Sequence, residues 1–280
     1  MSYKNLPVRF LFLLLFMRAE VVVHAQDMTG RDSSFVLVRT YEGDIAGAAL
    51  DQLDNLYIIS SKGQVKKFGA AGDSLSVYNQ VRNYGQLFSI DVTNPLKLLL
   101  FYKDFKTVVV LDRFLSTIKT VDLRRFNILQ PIAIGLSYDN NIWIFDEYDN
   151  KLKKIDEQGN HLFESDDFRS VFNQGISPQK IIDDNGLVYL ADSSAGVFIF
   201  DNYGSFKKKI PLRNFQSIAV NRNHVISTRP DLVTVYNTST LLQTERKPPF
   251  APYVSAFTNA DRFVGLMPGK LEVYQYRYGW

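Results

Sequence analysis

A strand–turn–strand–turn unit that recurs along the chain constrains this sequence more than any other feature. Residues 140–160 read NNIWIFDEYDNKLKKIDEQGN: an apolar run at 142–145 stops at Asp146, a polar stretch follows, Leu152 and Ile155 bracket two lysines, and Asp156 and Gly159 close the unit. The same order returns at 188–192 and 197–201 before Gly204, and upstream at 56–60 and 65–68 before Gly72. Weaker copies pair 98–101 with 108–112, 224–227 with 233–237, and 263–266 with 271–274. The equivalent positions Tyr57, Leu99, Trp143, Tyr189, Val225 and Phe263 lie 42, 44, 46, 36 and 38 residues apart. A period near 40 with three or four short strands per repeat is that of a β-propeller. One such sheet cannot bury both faces, and packing it between like neighbours removes the problem.

Each unit opens with an inner strand, predicted at 45–50, 87–92, 132–138, 179–183, 216–220 and 253–257. Asp54-Asn55, Asn140-Asn141 and Asn185-Gly186 then supply turns of the Asx/Gly kind. Six units are visible, and the sixth has only three strands before Trp280. The strand-like segment 35–41 has no other place, so it is expected to complete the last blade and remove an open edge. The predicted fold is all-β: one six-bladed β-propeller over 35–280, its last blade closed by the N-terminal strand. On these repeats the chain resembles NHL-type and related six-bladed propellers of exported bacterial proteins. The resemblance is specific for architecture and poor for activity, because propellers host many functions.

The first 25 residues read differently. Lys4 and Arg9 precede the short apolar run 10–17, and Val23-His24-Ala25 offers small-residue cleavage before Gln26. This is the pattern of a secretory signal peptide over 1–25, followed by a short segment over 26–34. The run is too short to span a bilayer, and the rival reading is an uncleaved N-terminal anchor. Loss of Lys4, Arg9, Arg18 and Glu20 would lower the net charge from +3 by two. Such a near-neutral chain lacks the basic excess of a nucleic-acid binder. It contains no Cys, so neither disulfides nor N-terminal lipidation is open to it.

Asp146 and Asp192 sit at equivalent strand ends, where an acid commonly accepts hydrogen bonds from the next turn. The functional alternative gathers strand-end loops at the channel mouth, with Asp146, Glu147 and Asp192 as ligands and Tyr148 and Arg229 as neighbours. The family resemblance adds precedent for a metal-dependent, lactonase-like hydrolase there. Against that reading, the segment after 25 contains only His161 and His224, at unrelated blade positions. No compact DxDxDG loop appears either, and Asp183-Asp184-Asn185-Gly186 reads as a hairpin. No GxSxG and no Gly-rich phosphate loop is present.

Tyr274, Tyr276, Tyr278 and Trp280 alternate with smaller or polar residues, so one face of the last strand is aromatic. That face is either core or a partner surface, since Tyr, Trp and Arg are common interface anchors. Candidate partner-binding residues are Tyr84, Phe105, Tyr148, Arg229, Phe250 in the KPPFAP segment, Tyr276, Tyr278 and Trp280. The leading expectation is a non-enzymatic periplasmic scaffold without cofactor or metal. Its expected partner is another envelope protein, such as a large outer-membrane protein. By analogy with small exported propellers, it looks like an accessory or plug-like subunit of a complex such as the type IX secretion translocon. The alternatives are a channel-mouth hydrolase and a carbohydrate or small-ligand binder.

Overall fold

A computed structural model describes residues 35–80, 83–249, 251–259 and 261–276. The signal-peptide segment 1–25 and residues 26–34 lie outside the described residues. Strand β1 (Phe35–Glu42) comes first. Blade 1 contains β2 (Gly47–Leu50), β3 (Leu56–Ile59), β4 (Val65–Phe68) and β5 (Ser74–Tyr78). Blade 2 contains β6 (Ser89–Asn94), β7 (Lys97–Tyr102), β8 (Thr107–Asp112) and β9 (Thr117–Asp122). Blade 3 contains β10 (Pro131–Leu136), β11 (Ile142–Asp146), β12 (Lys151–Ile155) and β13 (His161–Glu164). A short helix, α1 (Phe168–Phe172), leads to blade 4: β14 (Lys180–Asp184), β15 (Leu187–Asp192), β16 (Gly196–Asp201) and β17 (Phe206–Ile210). Blade 5 contains β18 (Ser217–Asn221), β19 (His224–Arg229), β20 (Leu232–Asn237) and β21 (Gln243–Arg246). Blade 6 contains β22 (Ser255–Thr258), β23 (Arg262–Met267) and β24 (Lys270–Tyr276), with β1 as its fourth strand.

The chain is therefore a six-bladed β-propeller. Every blade is a four-stranded antiparallel sheet, and β1 pairs with β24 from Phe35↔Tyr276 to Glu42↔Lys270. This joint closes the ring as the repeat predicts. Inner strands start or stop within two residues of their predicted limits. Strand β10 ends at Leu136 rather than at 138, because the Ser137 amide turns back to donate to the Asn141 carbonyl.

Apolar burial lies between blades. Six clusters of buried side chains fill the six seams, as the stacking of two-faced sheets requires. The recurring turn residues have local causes. Asp112, Asp156 and Asp201 each accept from backbone amides two and four residues ahead, which ties the turn between third and fourth strands. The repeated glycine there has a positive φ, +88° at Gly159 and +79° at Gly204. At Gly204 a Cβ would also collide with the Phe163 ring of the preceding blade, so backbone angle and packing both demand glycine.

Candidate functional site

Antiparallel strands sort the connections onto two faces. Turns between second and third strands, and links from each fourth strand to the next blade, share one face, here called the upper face. The strand-end acids reach that face, but they turn inward. Asp146 is fully buried and accepts from the amides of Leu129 (3.0 Å) and Gln130 (2.7 Å) and from Lys153 Nζ (2.9 Å). Asp192, also buried, accepts from the Ser177 amide (2.7 Å), Ser194 Oγ (2.6 Å) and the Ala195 amide. Burial pushes the Asp192 carboxyl up, but these donors outweigh it and hold the carboxyl below the usual range. Neither acid presents a free oxygen to a channel-mouth ligand. This corrects the alternative placing of Asp146 and Asp192, and its cause is the unsatisfied amides of the links beside each strand end. Glu147 is tied as well, accepting from Gln130 Nε2 (2.7 Å) and from Ser177 Oγ (3.1 Å) of the link to blade 4.

The expected partner-binding residues separate. Tyr276 is buried in the seam between blades 5 and 6, stacked on Phe35 with ring centroids 4.5 Å apart. That corrects its placing on a partner surface: the aromatic face of β24 is core, at least through Tyr274 and Tyr276. Phe250, Tyr278 and Trp280 lie outside the described residues. Arg229 reaches the upper face on blade 5, where it pairs with Asp231 (3.2 Å).

Tyr84 and Phe105 come together over blade 2. Tyr84 packs on Tyr102 with centroids 5.4 Å apart, and its hydroxyl lies 3.3 Å from Thr120 Oγ1. Gly85 lies against the Phe105 ring, where a Cβ would be 2.9 Å away. Phe88, which the sequence reading passed over, packs edge-on against Phe101 with centroids 5.8 Å apart and is 52% exposed, and Phe105 is 47% exposed. On blade 3 the exposed Leu129 and Tyr148 flank Asp146, which holds both of their amides. Phe88, Phe105, Leu129 and Tyr148 are thus exposed apolar side chains on the upper loops of two adjacent blades.

The seam between blades 6 and 1 contains a second feature, a cavity of about 640 Å³. Tyr41, Ile45, Ile58 and Phe68 form its apolar part, and Gln64, Asn79, Gln80 and Asn83 its carboxamide rim. Lys62, Lys66, Glu42 and Asp44 complete the wall. Sequence reading missed it. The available signal was the polar link after β5, which carries Asn79, Gln80 and Asn83.

At the ring's centre, Lys180 on the inner strand β14 donates to the Ile218 carbonyl of blade 5 (3.1 Å). Burial holds its ammonium below the usual lysine range, and the charge of Asp91 opposes this. Among the described residues, no cluster of His, Cys, Asp and Glu is placed to hold a metal, and no helix is long and apolar enough to cross a membrane.

No family model and no curated protein matches the chain. Solved structures do. The Pan2 WD40 domain of Neurospora crassa is 12% identical, with a TM-score of 0.58 over 88% of this chain and 96% of that one. Virginiamycin B lyase from Staphylococcus aureus is 13% identical, with a TM-score of 0.55 over 85% and 99%. The N-terminal BBS1 fragment solved in complex with an ARL6 fragment is 11% identical, with a TM-score of 0.53 over 88% and 98%. What these proteins share with the chain is the fold.

Proposed function

We propose that this chain is a non-enzymatic binding scaffold that docks another protein through its upper face. The observation behind this reading is the exposure of Phe88, Phe105, Leu129 and Tyr148 on upper loops of adjacent blades. Aromatic side chains held on rigid loops are common interface anchors, and grouped exposed apolar residues mark interaction surfaces. The commitment of Asp146 and Asp192 to backbone donors weighs against a channel-mouth hydrolase. Structural neighbours include both a lyase and a fragment solved with a partner protein, so they support either class equally.

In the narrower form of this proposal, the chain is an exported NHL-like propeller of the periplasm. There it serves as an accessory or plug-like subunit of an outer-membrane complex such as the type IX secretion translocon. The test is a native pull-down from gently solubilised envelopes, with the wild-type chain beside a Phe105→Ala/Tyr148→Ala double variant. A stoichiometric outer-membrane protein is expected with the wild type and not with the variant. Recovery of the wild-type chain alone, or equal recovery of the partner by both, would overturn the reading.

A further inference from the structure

We infer that the cavity between blades 6 and 1 is a binding site for a short uncharged oligosaccharide, distinct from the exposed apolar loops of blades 2 and 3. A volume of about 640 Å³ falls within the range of small-ligand sites. The wall charges cancel, since Lys62 and Lys66 face Glu42 and Asp44. Asp44 is further committed to the amide (3.0 Å) and hydroxyl (2.9 Å) of Ser61, and both lysines lie close enough to act on its carboxyl. A ligand entering this wall is therefore not selected by net charge.

The rim defines the chemistry instead. Among the described residues, no hydrogen bond or ion pair engages the side chains of Gln64, Asn79, Gln80, Asn83, Lys62 or Lys66. Each carboxamide offers two donor hydrogens and an acceptor oxygen. Four of them around one opening match a ligand whose groups both donate and accept, which is the property of hydroxyls. Below the rim, Ile45, Ile58, Tyr41 and Phe68 offer apolar surface to the C–H face of a sugar ring, with Tyr41 and Phe68 ring centroids 4.8 Å apart. Strands β3 and β4 are paired along both edges and offer no open ladder for main-chain addition, whereas β1, which supplies Tyr41, is paired only with β24, so a peptide is the rival occupant that the experiment includes.

Ligand-observed NMR and calorimetry with maltotriose, cellotriose and mannotriose test the assignment on the purified chain. At least one trisaccharide should bind with a Kd below about 1 mM. Gln64→Ala and Asn79→Ala should each weaken that binding about tenfold, as loss of a hydrogen bond at the rim implies. Asn79 is exposed on a link, so its variant should retain the wild-type melting temperature and keep the test interpretable if Gln64→Ala is unstable. Absence of binding by all three sugars at millimolar concentration would overturn the inference. So would affinity unchanged in both variants, or tighter binding of a sulfated trisaccharide or an alanine-rich peptide than of the neutral sugars. The Phe105→Ala/Tyr148→Ala variant should bind the sugar normally, which separates this site from the docking surface.

Discussion

Two seams of the same ring, between blades 3 and 4 and between blades 6 and 1, are built from equivalent strands yet end differently. In the first, the link 165–179 carries α1, capped by Asp167, and lowers Phe168 and Phe172 into the space between blades. Phe168 stacks on Phe200 with centroids 5.2 Å apart and planes 4° from parallel, while Phe172 packs edge-on against Phe206. In the second, the link is only 43–46, and the side chain it packs against the seam cluster is the partly covered Ile45. The buried cluster there is limited to side chains of the strands themselves, with Tyr41, Ile45 and Phe68 only partly covered. Radial sheets diverge outwards, so the wedge between two blades must be filled from the links. A long link fills it with aromatic rings, and a short one leaves a cavity.

The sharpest way to break this comparison is to truncate one ring in each seam. Phe168→Ala should cost about 3–5 kcal/mol, the range for a fully buried aromatic, in chemical denaturation. Phe68→Ala, half-covered at the open seam, should cost about 1–2 kcal/mol. Equal losses would show that the two seams are equally packed.

Removing a buried charge partner should rank next. Lys153 is buried and contacts both Asp146 (2.9 Å) and Asp149 (2.6 Å). Asp146→Ala leaves the ammonium with one partner and two link amides with none, at a cost of about 3 kcal/mol. A fall below about 1 kcal/mol in the same denaturation assay would mean that water replaces the carboxylate.

Gly204→Ala should destabilise by at least about 1 kcal/mol, because the added Cβ meets both a positive φ and the Phe163 ring. The open seam offers a control at Gly43, whose Cβ would meet nothing within 4 Å although its φ is +133°. Gly43→Ala therefore reports a backbone cost without a clash, and rescue of Gly204→Ala by Phe163→Leu in thermal melts would report the packing part at Gly204.

A smaller effect should appear as pH dependence. The Asp192 carboxyl titrates lower in the folded chain than its ordinary 3.8. Its contribution is present above that value and is lost as pH falls through the folded value. The stability gap between wild type and Asp192→Asn should stay constant from about pH 7 to 5 and close below about pH 4. A gap that widens on acidification would reverse the assigned direction. Smallest of all, Asn79→Ala at the cavity rim should move stability by less than about 0.5 kcal/mol.

The sequence alone determined the ring: six units, their turn chemistry, and closure by β1. The first two are local signals, since strand patterning, Asx turns and positive-φ glycines are written within a few residues of one another, and closure followed by elimination from the strand missing in the sixth unit. It also pointed to Asp146 and Asp192 as turn acceptors, although their donors, the amides of Leu129, Gln130 and Ser177, lie 17, 16 and 15 residues away. Only the tertiary structure decided what faces what. It buried Tyr276, aimed Trp143 Nε1 at Asp183 of the next blade (2.9 Å), and joined Tyr41 to Phe68 across the point of ring closure. It also set Phe88, Phe105, Leu129 and Tyr148 exposed on one face, and left the wedge beside the short link 43–46 open. Such outcomes depend on the volume left between sheets brought together by the closed ring, a quantity that no pattern within one repeat encodes.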